Sequence, residues 1–294
     1  MFELANVVAA SDLMPSSEAA VERAAWVAVE CGAKLSVIHV VDFSPLAPLR
    51  KFIESDHDDV ERKIVDQIRD ELRYGGQAVQ RQFGLAPALH VARGDLYTQL
   101  AAYIDAVPAD LLVLGAKAGG GLPYNMLGAE TERLVISSVC PSLVAKQPAV
   151  APYRKVLVAV DFSSRSLRAL EIAHAVAPKA EIHVLNVFSV AFEEALGRAG
   201  VSRESLDAYR LIANTRASER LKRLIASAGL DQARTHAIVR EGDILRHILE
   251  CEEQLGCDMV VVGKHGDDVP NDLILGSVTK HVLTRAHSDV LIAT

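Results

Sequence analysis

The 294-residue sequence has no apolar run close to the ~20 residues that a helix needs to cross a bilayer, so no membrane span is expected. Its first residues lack the charged, apolar and small-residue pattern of a secretory signal, and a cytoplasmic location is expected. An excess of positive charge is also missing. The net charge of −7 argues against broad nucleic-acid binding, which needs a basic stripe to neutralise phosphates. Cysteine is sparse. Cys31, Cys140, Cys251 and Cys257 form no Cys-x-x-Cys pair, so reduced and mostly buried thiols are expected. No His-x3-His or similar pair occurs among the ten histidines, and no metal centre is expected; His39 and His183 read as satisfied core residues of central strands. No Gly-x-Ser-x-Gly elbow, Walker A loop or Gly-x-Gly-x-x-Gly fingerprint is present.

What the sequence does contain is an internal repeat. Asn6-Val-Val-Ala-Ala-Ser-Asp12 matches Lys155-Val-Leu-Val-Ala-Val-Asp161, and His39 in its apolar run aligns with His183. Further on, Asp95, Asp110, Gly115, Gly128 and Thr131 match Asp243, Asp258, Gly263, Gly276 and Thr279 at a constant offset of 148 residues. Order and spacing held over five blocks imply two copies of one domain. We place the domains at residues 1–147 and 153–294. Between them, 148–152 forms a short, stiff linker flanked by prolines.

Each copy alternates short apolar runs with helical stretches. Residues 6–12, 35–41, 88–92, 111–115 and 142–145 read as buried parallel strands. The 17–26 stretch reads as a helix with Ser17 as its cap candidate. Residues 60–72 form an amphipathic helix, and 203–228 a long polar one. The fold class is therefore α/β: two tandem doubly wound domains, each a five-stranded parallel sheet flanked by helices. Ligands of such sheets sit beyond the carboxyl ends of the strands, at the switch point in strand order. That directs attention to Asp12 and Asp161, to Asp42 and Asn186, and to the glycine loops after 115 and 263.

The second loop carries the chemistry. It runs Gly263-Lys-His-Gly266, nine further residues, then Gly276-Ser277 at a helix start. Glycines let backbone approach a ligand closely, and the unpaired N–H groups of a helix N-terminus attract an anion. The alternative is a plain turn with a serine cap. Lys264 and His265 either meet phosphate charge or belong to a solvated loop. Asp267, Asp268 and Asp272 either hold a divalent ion such as magnesium or repel an anion. Asp95 and Asp243 read as helix N-caps.

Gly-x2-Gly-x9-Gly-Ser after a fourth strand, an aspartate ending the first strand and a Gly-Asp step before the third helix together resemble the universal stress protein family. The resemblance covers both copies and points to a tandem-type member with strand order 3-2-1-4-5. It implies ATP as ligand, with Asp161 near the base and Gly263, Gly266, Gly276, Ser277 and Val278 along the ribose and phosphates. Val187, just after the second strand, would offer backbone groups to the adenine. A plain turn-and-cap role for Asp161, with Ser163 and Ser164, remains the alternative. The resemblance also implies pairing through the last strands, 142–145 and 289–294. A tandem chain satisfies that pairing within itself as a pseudo-dimer, and a homodimer of whole chains is a further option. Related adenylyl-transfer enzymes use His-x-Gly-His, and this loop reads Lys264-His-Gly-Asp267, without the second histidine.

The first copy keeps the spacing but not the residues. Its site would comprise Asp12, Gly115 and Gly128, with Ala118 and Ala129 replacing the second glycine and the serine, and Gly119 to Gly121 alongside. Glu130 and Glu132 stand where copy two has Val278 and Lys280, and their charge opposes a phosphate at that helix start. A weakened first site and a competent second site follow. The expected function is a non-enzymatic, ATP-binding stress protein acting by regulatory protein contacts. The alternatives are a structural or small-ligand module without nucleotide, and a weak ATPase.

Overall fold

The computed structural model describes residues 2–46, 57–116, 127–190, 198–266 and 274–294. Ala118, Gly119 to Gly121, Asp267, Asp268 and Asp272 lie outside the described residues. The chain divides into two compact units: Glu3–Pro152, and Tyr153–Thr294 together with Met1–Phe2.

In the first unit, strands β1 (Asn6–Ala10), β2 (Lys34–Val41), β3 (Ala88–Arg93), β4 (Leu111–Gly115) and β5 (Ser142–Ala145) alternate with helices α1 (Pro15–Cys31), α2 (His57–Phe83), α3 (Leu96–Ala106) and α4 (Ala129–Ser137). The strands are parallel in the order β3-β2-β1-β4-β5. The second unit repeats the pattern with β6 (Lys155–Ala159), α5 (Ser166–Val176), β7 (Glu181–Phe188), α6 (Arg203–Ser227), β8 (Thr235–Glu241), α7 (Ile244–Leu255), β9 (Met259–Gly263), α8 (Ser277–Arg285) and β10 (Asp289–Ala293). Its order is β8-β7-β6-β9-β10, the same winding.

Consecutive strand residues point to opposite faces of a sheet. Val7 and Val8 are neighbours and both 0% exposed, as are Val156, Leu157 and Val158. Both faces of each central strand are therefore covered, which is why these strands read as continuous apolar runs rather than alternating ones. The parallel strands also need crossovers, and helices supply them: α1 packs on β1 and β4, and α5 on β6 and β9.

An aspartate before the fourth strand of each copy has a structural task. Asp110 Oδ2 accepts the backbone N–H groups of Ala5 and Asn6 at 2.9 Å each. Asp258 Oδ2 does the same for Arg154 and Lys155 at 2.7 and 2.9 Å. Asp95 and Asp243 cap α3 and α7 as expected, accepting from the N–H groups of Thr98 and Arg246. Ser17 is not a cap. Helix α1 begins two residues earlier, at Pro15, whose fixed φ suits a first helical position. The buried Ser17 hydroxyl instead donates to the Met14 carbonyl at 2.9 Å and accepts the Asp12 N–H at 3.2 Å. Beyond β5 the chain runs back along α1: Trp26 Nε1 donates to the Ala149 carbonyl at 2.9 Å, and Arg23 Nη1 to that of Ala151 at 2.8 Å.

His183 departs from its expected role. Its ring stacks on His236 with centroids 5.0 Å apart, and its buried Nε2 has no hydrogen-bond partner among the described residues. Burial, reinforced by His236, lowers its pKa, so the ring is held neutral. His39 behaves as expected, with Nδ1 2.7 Å from the Ser11 carbonyl.

Candidate functional site

The chain leaves β6 toward β7 on one side of the second sheet and returns to β9 on the other. The carboxyl ends of β6 and β9 thus flank a switch point, where the outgoing connections diverge and leave a crevice. A cavity of about 260 Å³ occupies it. Asp161, Gly263, Gly266, Gly276, Ser277 and Val278 all line this cavity, though they span more than 110 positions of sequence.

Asp161 sits at the mouth, directly after β6. Its Oδ1 accepts the Ser163 N–H at 2.9 Å and the Ser166 hydroxyl at 3.0 Å. This local turn holds Phe162 at φ 62°, a left-handed conformation unusual for a bulky residue. Asp12 and Leu13 repeat it, with the Met14 N–H on Asp12 Oδ1 at 3.0 Å and φ 63° at Leu13. Partial burial opposes the charge on Asp161, but the bonds from Ser163 and Ser166 outweigh it and hold the carboxyl below its ordinary value. The turn consumes one oxygen. Oδ2 faces Gly266, where an added Cβ would lie 3.0 Å from it, so a larger residue at 266 would press on the carboxylate.

The glycines at the other wall are tied to the start of α8. Gly276 is its N-cap, and its N–H donates to the Lys264 carbonyl at 2.9 Å. Thr279 Oγ1 donates to the Gly263 carbonyl at 2.7 Å and clamps the first helical turn onto the end of β9. The first i to i+4 bond of the helix is from Lys280 to Gly276. The N–H groups of Ser277 to Thr279 precede it and have no acceptor within the helix. Ser277 is the first helical residue rather than the cap, and it is exposed. There is no acidic residue in this first turn, whereas α4 carries Glu130 and Glu132 at its own start.

Three features were not foreseen. Lys264 and His265 are each 4% exposed, so this part of the loop is packed, not solvated. Arg165 lines the cavity, and its Nη1 donates to His265 Nδ1 at 2.7 Å and to the Gly266 carbonyl at 3.4 Å. A guanidinium only donates, so Nδ1 accepts in this contact; the same Nδ1 also lies 3.1 Å from the Gly266 carbonyl oxygen. Repeat alignment would have flagged Arg165, since its partner in the first copy is the uncharged Ser16. Third, Val187 lies inside β7. Pairing of Val187 and Phe188 with Arg240 and Glu241 of β8 carries the strand past the expected end, and Val187 is not among the residues lining the cavity. Asn186, beside it, donates from Nδ2 to the Val160 carbonyl at 2.8 Å and ties β7 to the end of β6.

In the first unit Asp12, Gly115 and Gly128 hold the same places in the fold. Gly128 caps α4, and Thr131 Oγ1 donates to the Gly115 carbonyl at 3.0 Å. The surroundings of the glycine differ. An added Cβ on Gly115 would stand 2.8 Å from the Ser16 carbonyl oxygen and 3.4 Å from the Ser17 nitrogen. On Gly263 it would meet nothing nearer than the His265 carbonyl at 3.6 Å. The α1 backbone lies on Gly115, while the equivalent space beside Gly263 belongs to the cavity.

Comparison with known proteins agrees with the two-domain fold. The model of the universal stress protein family matches the chain twice, at residues 3–146 and 152–294. The chain belongs to the universal stress protein family. A family member from Methanocaldococcus jannaschii is 26% identical over 143 residues, covering 49% of this chain and 82% of that protein. Universal stress protein G of Escherichia coli O157:H7 is 26% identical over 143 residues, 48% of this chain and 98% of its own length. Among solved structures, a universal stress protein from Archaeoglobus fulgidus superposes over 100% of this chain and 99% of its own, with a TM-score of 0.71 at 19% identity. One from Pseudomonas aeruginosa superposes over 99% and 93%, with a TM-score of 0.62 at 19% identity. The family fold thus occurs twice in one chain. Among the described residues no helix is long and apolar enough to cross a membrane, and no group of three or more His, Cys, Asp or Glu is placed to hold a metal ion.

Proposed function

We propose that the second domain binds an adenine nucleotide, ATP, and that the protein acts in the stress response through regulatory contacts with other proteins rather than by catalysis. The observation that carries this reading is the convergence of Asp161, Gly263, Gly266, Gly276, Ser277 and Val278 on one cavity into which the start of α8 opens. Free N–H groups at a helix start and an arginine on the wall suit phosphate, and the absence of acid from that first turn removes a repulsion. The cavity volume of about 260 Å³ lies just below the roughly 300–1,000 Å³ typical of small-molecule sites. In the first domain the equivalent site is weakened, by Glu130 and Glu132 at the helix start and by α1 on Gly115.

Titration calorimetry of the intact protein with ATP, with and without magnesium, tests the proposal. The wild type is expected to bind one equivalent. Gly276→Val should weaken binding strongly, because Gly276 lines the cavity and its Cβ would already be in ordinary contact with His265 Cα at 3.4 Å and the Lys264 carbonyl oxygen at 3.5 Å, leaving the two γ-methyl groups to enter the cavity or push on the loop. Absence of binding at millimolar ATP would refute the reading. Steady phosphate release that disappears in Asp161→Ala would replace it with an ATPase.

A further inference from the structure

The first domain contains a second and larger cleft. It lies between α1, α2 and the β2–β3 side of the sheet and has a volume of about 900 Å³. Its walls include Leu13, Val21, Val37, Leu72, Val79 and Leu89. Among the described residues no lysine, arginine or histidine lines it, while Glu18, Glu22, Asp66, Asp70 and Glu71 do. Asp66 and Asp70 are paired with Arg69 and Arg73 along α2 at 2.9 and 2.8 Å. Glu71 accepts a bond from the neutral amide of Gln67 at 2.9 Å. Glu18 and Glu22, one turn apart on α1, form no ion pair with any described residue.

Helix α2 carries two adjacent glycines beside this space. Gly75 and Gly76 interrupt its 27 residues, and each costs about 1 kcal/mol relative to alanine in a helix interior. Packing explains Gly76, where a Cβ would lie 3.0 Å from Leu89 Cδ1. It does not explain Gly75, which lines the cleft and would meet no atom within 4 Å. A merely solvated acidic face needs no apolar cleft behind it.

We propose that this cleft binds an amphipathic organic cation, its apolar body against the Val21–Val37–Leu89 wall and its ammonium or amidinium group at Glu18 and Glu22. Charge complementarity selects the class. Arg69 and Arg73 offset Asp66 and Asp70, but a carboxylate or phosphate ligand would still meet Glu18, Glu22 and Glu71 with no base among the described lining residues, whereas a cation brings the counter-charge that Glu18 and Glu22 lack there.

The test uses the intact protein and three matched probes: 1-naphthylethylamine, its neutral N-acetyl derivative and 1-naphthylacetate, followed by naphthyl fluorescence or calorimetry. The amine should bind at least about tenfold tighter than the other two and weaken with added salt. Glu18→Gln/Glu22→Gln should weaken it about fivefold or more, with the circular dichroism spectrum unchanged. Gly75→Leu keeps every charge, favours the helix and fills part of the cleft, and it should weaken all probes. Equal binding of the acetate or the neutral probe, unchanged amine binding in the double variant, or no amine binding at millimolar concentration would each overturn the proposal.

Discussion

Gly115 and Gly263 end the fourth strand of their copies, and the carbonyl of each accepts the hydroxyl of the equivalent threonine, yet they answer different demands. Gly115 has the peptide between Ser16 and Ser17 against it, so a methyl group there would have to displace helix backbone. Gly263 has ordinary contact distance on that side. Gly115→Ala is therefore expected to destabilise its domain by about 1–3 kcal/mol, the usual cost of overpacking. Gly263→Ala should stay within about 0.5 kcal/mol. Urea unfolding of the two variants without ligand checks the contrast, and equal costs would contradict it. Asp161 divides its work in a similar way. One oxygen serves the turn that precedes α5 and the other faces Gly266, so the structural and ligand-binding readings of this residue are compatible.

Among the elements, the central strands of both copies are held at their lower ends by the same device. Asp110 and Asp258 each place one carboxylate oxygen on two consecutive N–H groups at the start of β1 or β6. Hydrogen bonds to a charged acceptor are worth about 1.5–3 kcal/mol, so Asp258→Ala should cost the second domain roughly that amount and Asp110→Ala the first. Thermal unfolding of each variant measures it, and Asn at either position should recover part of the loss. The copies then diverge at the turn before the last strand. Glu252, 5% exposed, accepts the His287 and Ser288 N–H groups at 2.8 and 2.7 Å and the Ser288 hydroxyl at 2.6 Å. Its counterpart 148 residues earlier is Ile104, which does none of this.

For the whole molecule, the four thiols report on each domain separately. Cys140, Cys251 and Cys257 are buried, and Cys31 is half-buried. Burial raises the pKa of all three buried thiols, that of Cys257 to about 12, with Glu252 and Asp258 adding to the effect. The thiolate is the nucleophile, so these groups are inert while folded. At pH 8 a thiol reagent should label Cys31 first and reach the other three only as the domains unfold. Mass mapping along a urea series would show Cys140 following the first domain, and Cys251 with Cys257 following the second. Rapid native labelling of Cys257 would contradict the burial.

Most of the architecture was legible in the sequence because repetition doubles the signal. Two aligned sets of five apolar runs carry the α/β class, and Asp95 and Asp243 carry their caps through local chemistry alone. Boundaries set by pairing were not legible: β7 runs through Val187 because β8 lies beside it with residues to pair. Nor was burial within the glycine loop, since Lys264 and His265 are polar in sequence and packed in space. The loop motif and the charge difference at Glu130 and Glu132 belong to the sequence itself. Only the tertiary structure decided that Arg165 joins the cavity, that α1 lies on Gly115, and that α1 and α2 leave an acid-rimmed cleft between them. Periodicity and capping act over a few residues, whereas these features arise where segments distant in sequence are brought to the same few ångströms.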